Sequence, residues 1–203
     1  MLIQNDDFLR TFKKVKAVQE HMGLYHVGEG SHTLSVDTLC SSVADMYELK
    51  IEMYEVAASV LRVDGMMERY ADGRAVILVR ADLGDDQKRF VAVKELCHLM
   101  VDEEDDWSTT GVETIRLMKV EFDLADNGEG GVMDPCRQQV SEYLAWTAAL
   151  ALMYPCEFHE ADMAKVASGE NTLTKIGLFH GIPALQIENA FNHPHVFELY
   201  AEA

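Results

Sequence analysis

The chain has 203 residues, of which 48% are apolar and 26% charged, with four prolines and thirteen glycines. That is the make-up of one folded domain of ordinary size, and it excludes disordered and collagen-like chains. Thirty-five acids against seventeen bases give a net charge of -18, which excludes the broad basic surface that a nucleic-acid reader uses to neutralise phosphates.

In chain order, the first periodic stretch is residues 7–22, where Phe8, Phe12, Val15 and Val18 recur at spacings of three and four. One apolar stripe of that kind predicts an amphipathic helix ending at Gly23. GLYHVGEGSH follows, with the glycines of a loop. In VDTLCSSVADMYELK, the positions of Val36, Leu39, Val43 and Met46 predict a second helix with those residues on its buried face. IEMYEV and RAVILVR, separated by VDG and ADG turn signals, predict a small antiparallel sheet. Residues 86–101 and the stretch MDPCRQQVSEYLAWTAALALMYP predict the two core helices, the second stopping at Pro155.

Between those helices, residues 102–134 carry eleven acids against Arg116 and Lys119, the composition of a solvated insert. The tail predicts two or three short helices broken at SGEN and GIP. Its GLFHGIPALQIENAF has the outline of a helix-turn-helix unit, but Lys175 is the only base between Leu173 and Asn192, so packing or protein interaction is expected there. His193 and His195 are expected on an exposed tail, and His159 and Glu160 on the surface.

Cys40, Cys97, Cys136 and Cys156 show no CxxC spacing, and no apolar run approaches the roughly 20 residues that cross a bilayer. The N-terminal sequence lacks the charged-then-apolar order of a signal peptide. A reduced, cytoplasmic protein is expected.

The chemistry-bearing segment is Lys94-Glu95-Leu96-Cys97-His98. It differs by one ligand from H-E-x-x-H, in which histidines at i and i+4 share a helical face and hold zinc while the glutamate activates water. Cys97 lies about 100° round the helix from His98, poorly placed to share an ion with it, and is expected as a small core residue.

The stretch RAVILVRADLGDDQKRFVAVKELCHLM, with Arg89 and Phe90 ahead of the motif, resembles the ImmA/IrrE-type metallopeptidase family. A second block agrees: Glu142, Ala145, Ala149, Leu152, Met153 and Pro155 in SEYLAWTAALALMYP are similar to that family's glutamate-bearing helix. The resemblance spans roughly Val36 to His159. It implies an α+β, zincin-like metallopeptidase fold, with a small antiparallel sheet and a mainly helical core. The metallopeptidase-like core would run over 31–160, with the acidic insert at 102–134, a helical extension at 1–30 and a helical segment at 161–203.

The resemblance also implies a zinc site with His98 and Glu142 as ligands and Glu95 as general base. Lys94 stands at the position of the lost first ligand. An ammonium has no lone pair and repels a dication, so zinc is expected to be absent or weakly bound. The ammonium could instead neutralise Glu95 and Glu142, standing in for the ion. The function implied is a metallopeptidase-fold protein with impaired or lost hydrolysis that binds a regulatory protein, such as a repressor. The alternatives are an active zinc endopeptidase using His98, Glu142 and Glu95, and a structural or regulatory module with a filled cleft. No direct nucleic-acid or membrane partner is expected.

Overall fold

The computed structural model describes residues 3–23, 34–61, 63–102 and 137–203. The loop expected after Gly23, Cys136 and the acidic insert beyond Asp102 lie outside the described residues.

Helix α1 (Asn5–His21) buries Phe8, Phe12, Val15 and Val18, the stripe that the periodicity predicts. Helix α2 (Val36–Met46) starts at Ser35, whose hydroxyl accepts from the Thr38 N–H, satisfying one of the donors that a helix start leaves unpaired. Leu39 and Val43 are fully buried, while Val36 and Met46 pack at the margin of the core.

Three strands follow: β1 (Lys50–Val56), β2 (Gly65–Arg69) and β3 (Arg74–Arg80), in spatial order β1-β3-β2. The expected antiparallel sheet is corrected here, because β1 pairs with β3 in parallel and only β2 pairs with it antiparallel. The reason is an additional strand. β2 lies between IEMYEV and RAVILVR in sequence, so the chain reverses twice and the outer segments run the same way. Strand β3 is central and alternates, with Ala75, Ile77 and Val79 buried on one face.

Helix α3 (Asp85–Val101) begins with Asp85 and Asp86, whose charges complement the positive end of the helix dipole. From Glu95 to Val101 every residue is buried. A helix apolar nearly all round belongs inside a core, and α3 packs on β2 and β3, on α2 and on helix α4 (Arg137–Met153). Ala145, Ala148 and Ala149 of α4 are fully buried, small enough to let the two helices approach. Arg89 donates to the Leu34 carbonyl and ties α3 to the start of α2.

After Pro155 come a short 3-10 turn and four helices: α5 (His159–Ala167), α6 (Leu173–His180), α7 (Ala184–Asn192) and α8 (Pro194–Glu202). The stretch 161–192 holds α5, α6 and α7, within the two or three helices expected there, and α8 lies beyond it. His193 and His195 flank the first residue of α8, whose Val196, Phe197 and Leu199 are buried, so this segment is a packed helix rather than a loose tail. Tyr200 donates to Gln19 of α1 at 2.6 Å, and Trp146 of α4 donates to Gln186 of α7 at 2.7 Å. The architecture is mixed α+β, a small sheet against a mainly helical body. Among the described residues no helix is long and apolar enough to cross a membrane.

Candidate functional site

The helical spacing of α3 puts Lys94 and His98 one turn apart on the same face, and α4 presents Glu142 to that face. Lys94 Nζ lies 2.9 Å from Glu95 Oε1 and donates to Glu142 Oε2 at 2.8 Å. His98 Nε2 is 3.5 Å from the same Nζ and 3.4 Å from Glu142 Oε1. The four residues singled out from sequence therefore meet around one point, and the group at that point is the lysine ammonium.

The other imidazole nitrogen has its own partners. His98 Nδ1 lies 2.9 Å from Asp102 Oδ2, one helical turn further on, and 3.2 Å from Ser141 Oγ. Ser141 donates to Asp102 Oδ1 at 2.7 Å. The Asp102 side chain is only 6% exposed, which corrects its place in the solvated acidic run: it closes α3 as a buried partner of His98. Neither Asp102 nor Ser141 stands out in the sequence as a site residue. The available signals were the i, i+4 spacing from His98 and the adjacency of Ser141 to Glu142.

Gly65 is the third residue that sequence reasoning missed, read there only as part of a turn. A Cβ on Gly65 would collide with Val91 and come within 2.8 Å of Glu95 Oε1. Glycine lets the start of β2 press against α3 beside the Glu95 carboxylate, a close-approach role that does not depend on unusual backbone angles.

Electrostatics favour an ionised cluster. Burial works against the Lys94 ammonium, but Glu95 and Glu142 outweigh it and raise its pKa above that of ordinary lysine. Burial also disfavours imidazolium, yet Glu142 and Asp102 push the pKa of His98 up to about 10. The Glu142 carboxyl is partly desolvated, which would raise its pKa, but His98 and Lys94 hold it well below the usual carboxylate range. Two cations thus face three carboxylates, those of Glu95, Glu142 and Asp102. When protonated, His98 donates Nδ1–H to Asp102, and its Nε2–H points toward Glu142, which sits between the two cations.

Cys97 is fully buried, and desolvation pushes its thiol pKa up, so it serves as core. His159 is not on the surface: it is 5% exposed, its ring stacks on Phe197 at 4.3 Å, and its Nε2 is 3.2 Å from the Ala190 carbonyl oxygen. It belongs to an aromatic cluster with Tyr154 and Phe191, whereas Glu160 is exposed. Among the described residues, no group of three or more His, Cys, Asp or Glu side chains is arranged to hold a metal ion. In comparisons with known proteins, no family model matches the chain, and no curated protein matches it.

Proposed function

We propose that this chain is an ImmA/IrrE-like protein of zincin-like fold in which the Lys94 ammonium takes the place of the zinc ion. In this reading hydrolysis is impaired or lost, and the protein works in the cytoplasm by binding a regulatory protein such as a repressor. The observation that carries it is the position of Lys94 Nζ, 2.9 Å from Glu95 and 2.8 Å from Glu142. Those are the two carboxylates that the resemblance makes base and ligand.

The donor set suits an internal cation better than zinc. Zinc is held by lone pairs, and a raised Lys94 pKa keeps the ammonium without one. A dication beside it would meet repulsion from a group already paired with the carboxylates it needs. The Lys94 ammonium offers Glu95, with a side chain 4% exposed, an opposite charge at 2.9 Å in the core. The α3–α4 geometry can then persist as a rigid frame for protein binding.

The alternative, a working zinc endopeptidase, draws on the convergence of His98 Nε2 and Glu142 Oε1 at 3.4 Å. Elemental analysis separates the two. Untagged protein dialysed against zinc is compared with a His98→Ala, Glu142→Ala variant. The proposed reading expects no stoichiometric zinc in either, whereas about one zinc per wild-type chain, lost in the variant, means that the site holds metal despite Lys94 and directs the search to a substrate peptide.

A further inference from the structure

Consecutive residues of α4 grip both nitrogens of the His98 ring. Glu142 Oε1 lies 3.4 Å from Nε2, and Ser141 Oγ lies 3.2 Å from Nδ1. Asp102 adds a second oxygen at Nδ1, 2.9 Å away, while Lys94 Nζ is 3.5 Å from Nε2. The ring, the serine and the aspartate side chain are all buried.

The proton positions at Nδ1 follow from what each group can donate. A carboxylate has no proton to give, so the 2.7 Å contact between Ser141 and Asp102 uses the single hydroxyl hydrogen of the serine. What Ser141 then turns to the ring is an oxygen lone pair, and Asp102 offers another. Two acceptors at one ring nitrogen require a hydrogen on it, whether the imidazole is neutral or charged. Nε2 is therefore the nitrogen left to Lys94 and Glu142. It presents a lone pair to the ammonium when the ring is neutral and an N–H to the carboxylate when it is charged.

Helix capping does not account for the Asp102 side chain. Its backbone N–H already donates to the His98 carbonyl at 3.0 Å and closes α3. A carboxylate at the carbonyl end of a helix meets the negative pole of the dipole, where acids are disfavoured. A buried charge in that place needs partners, and among the described residues it has the His98 ring and the Ser141 hydroxyl.

We infer that Asp102 and Ser141 are positioning residues, which together fix the tautomer and direction of His98 so that Nε2 faces the point held by Lys94 and Glu142. Their action on that point runs through the ring. The inference rests on the lysine-for-ion reading and deepens it, because a metal-binding imidazole is oriented in the same way, by an acceptor on its other nitrogen. The misfit to zinc is thereby confined to Lys94.

The test has two arms, both on the full chain. In metal-free wild type, long-range proton–nitrogen NMR of the histidine rings, assigned with His98→Gln, should show a downfield, slowly exchanging Nδ1 proton on His98. Asp102→Ala should abolish it, and Ser141→Thr should keep it. In the second arm Lys94→His supplies the missing ligand, and zinc affinity is read by chelator competition in proteins that circular dichroism shows to be folded. Adding Asp102→Ala should weaken zinc binding by about 10–100-fold. Asp102→Asn, which keeps an acceptor oxygen but not the charge, should weaken it by less. Ser141→Ala should also weaken it, and Ser141→Thr, which restores the hydroxyl, should recover it. A ring proton that survives Asp102→Ala, or equal zinc affinity across the Lys94→His set, overturns the inference. Stoichiometric zinc on wild type overturns the lysine-for-ion reading instead, and the ring proton still decides the role of Asp102 and Ser141.

Discussion

Helix α3 and the α6–α7 pair depart from the usual partition of side chains in opposite directions. On α3, Lys94, Glu95 and His98 are taken into a core where charge is costly. On α6–α7, leucines are held in water although the same helices have well-packed inner faces. The difference teaches where each region's specificity lies. The α3 charges are paired within the chain, by Glu142 and Ser141 from α4 and by Asp102, while Glu95 Oε1 keeps an ion-pair contact with Lys94 and no hydrogen bond. The leucines of α6–α7 have no such completion within their own pair and remain exposed.

The largest effect should come from breaking the internal compensation. Lys94→Met leaves Glu95 buried without its cation, and removing one partner of a buried pair costs about 3–5 kcal/mol. Urea denaturation measures it; an unchanged or raised stability would remove the basis for the ion cluster. Gly65→Ala comes next, at about 1–3 kcal/mol, because the added methyl overpacks Val91 and Glu95. Measured alone and with Lys94→Met, the pair should be non-additive, since both act on Glu95.

The pH dependence sharpens the same side of the comparison. His98 has its folded pKa raised from 6.5 to about 10, chiefly against burial and through Glu142 and Asp102. Its contribution to stability is therefore fully present below pH 6.5 and is lost as pH rises through about 10. Thermal melts should show Tm declining across that window, and Asp102→Asn should shift the decline to lower pH. A flat profile in wild type would contradict the assignment of a charged His98. At the other extreme, Leu178→Ser with Leu185→Ser should change unfolding free energy by no more than about 0.5 kcal/mol, as exposed positions do. A larger loss would mean that the leucines support the fold.

The two regions were also unequally legible in the sequence. Both core helices, the shared face of Lys94 and His98, and the break at GIP follow from local spacing, which periodicity reports well, whereas Glu142 joined that set only through the family resemblance. Strand β2 was missed because GMMER contains no β-branched residue, and the parallel β1–β3 pairing is non-local. Asp102 was hidden by the acids that follow it: composition says solvated, and only the fold shows it turned back onto His98 and Ser141. His159 was misplaced for a related reason, since its burial depends on Phe197 and Ala190, distant in sequence. The exposure of Leu178 and Leu185 could not be read either, because the helix-turn-helix outline does not say which side is covered.

The most direct measurement of the central claim is zinc uptake by Lys94→His beside wild type, at neutral pH and equal free zinc. If the ammonium stands where an ion would otherwise sit, wild type takes up no stoichiometric zinc and the variant takes up about one per chain. Equal uptake by the two proteins, or none by the variant while it remains folded, would contradict the substitution of lysine for metal.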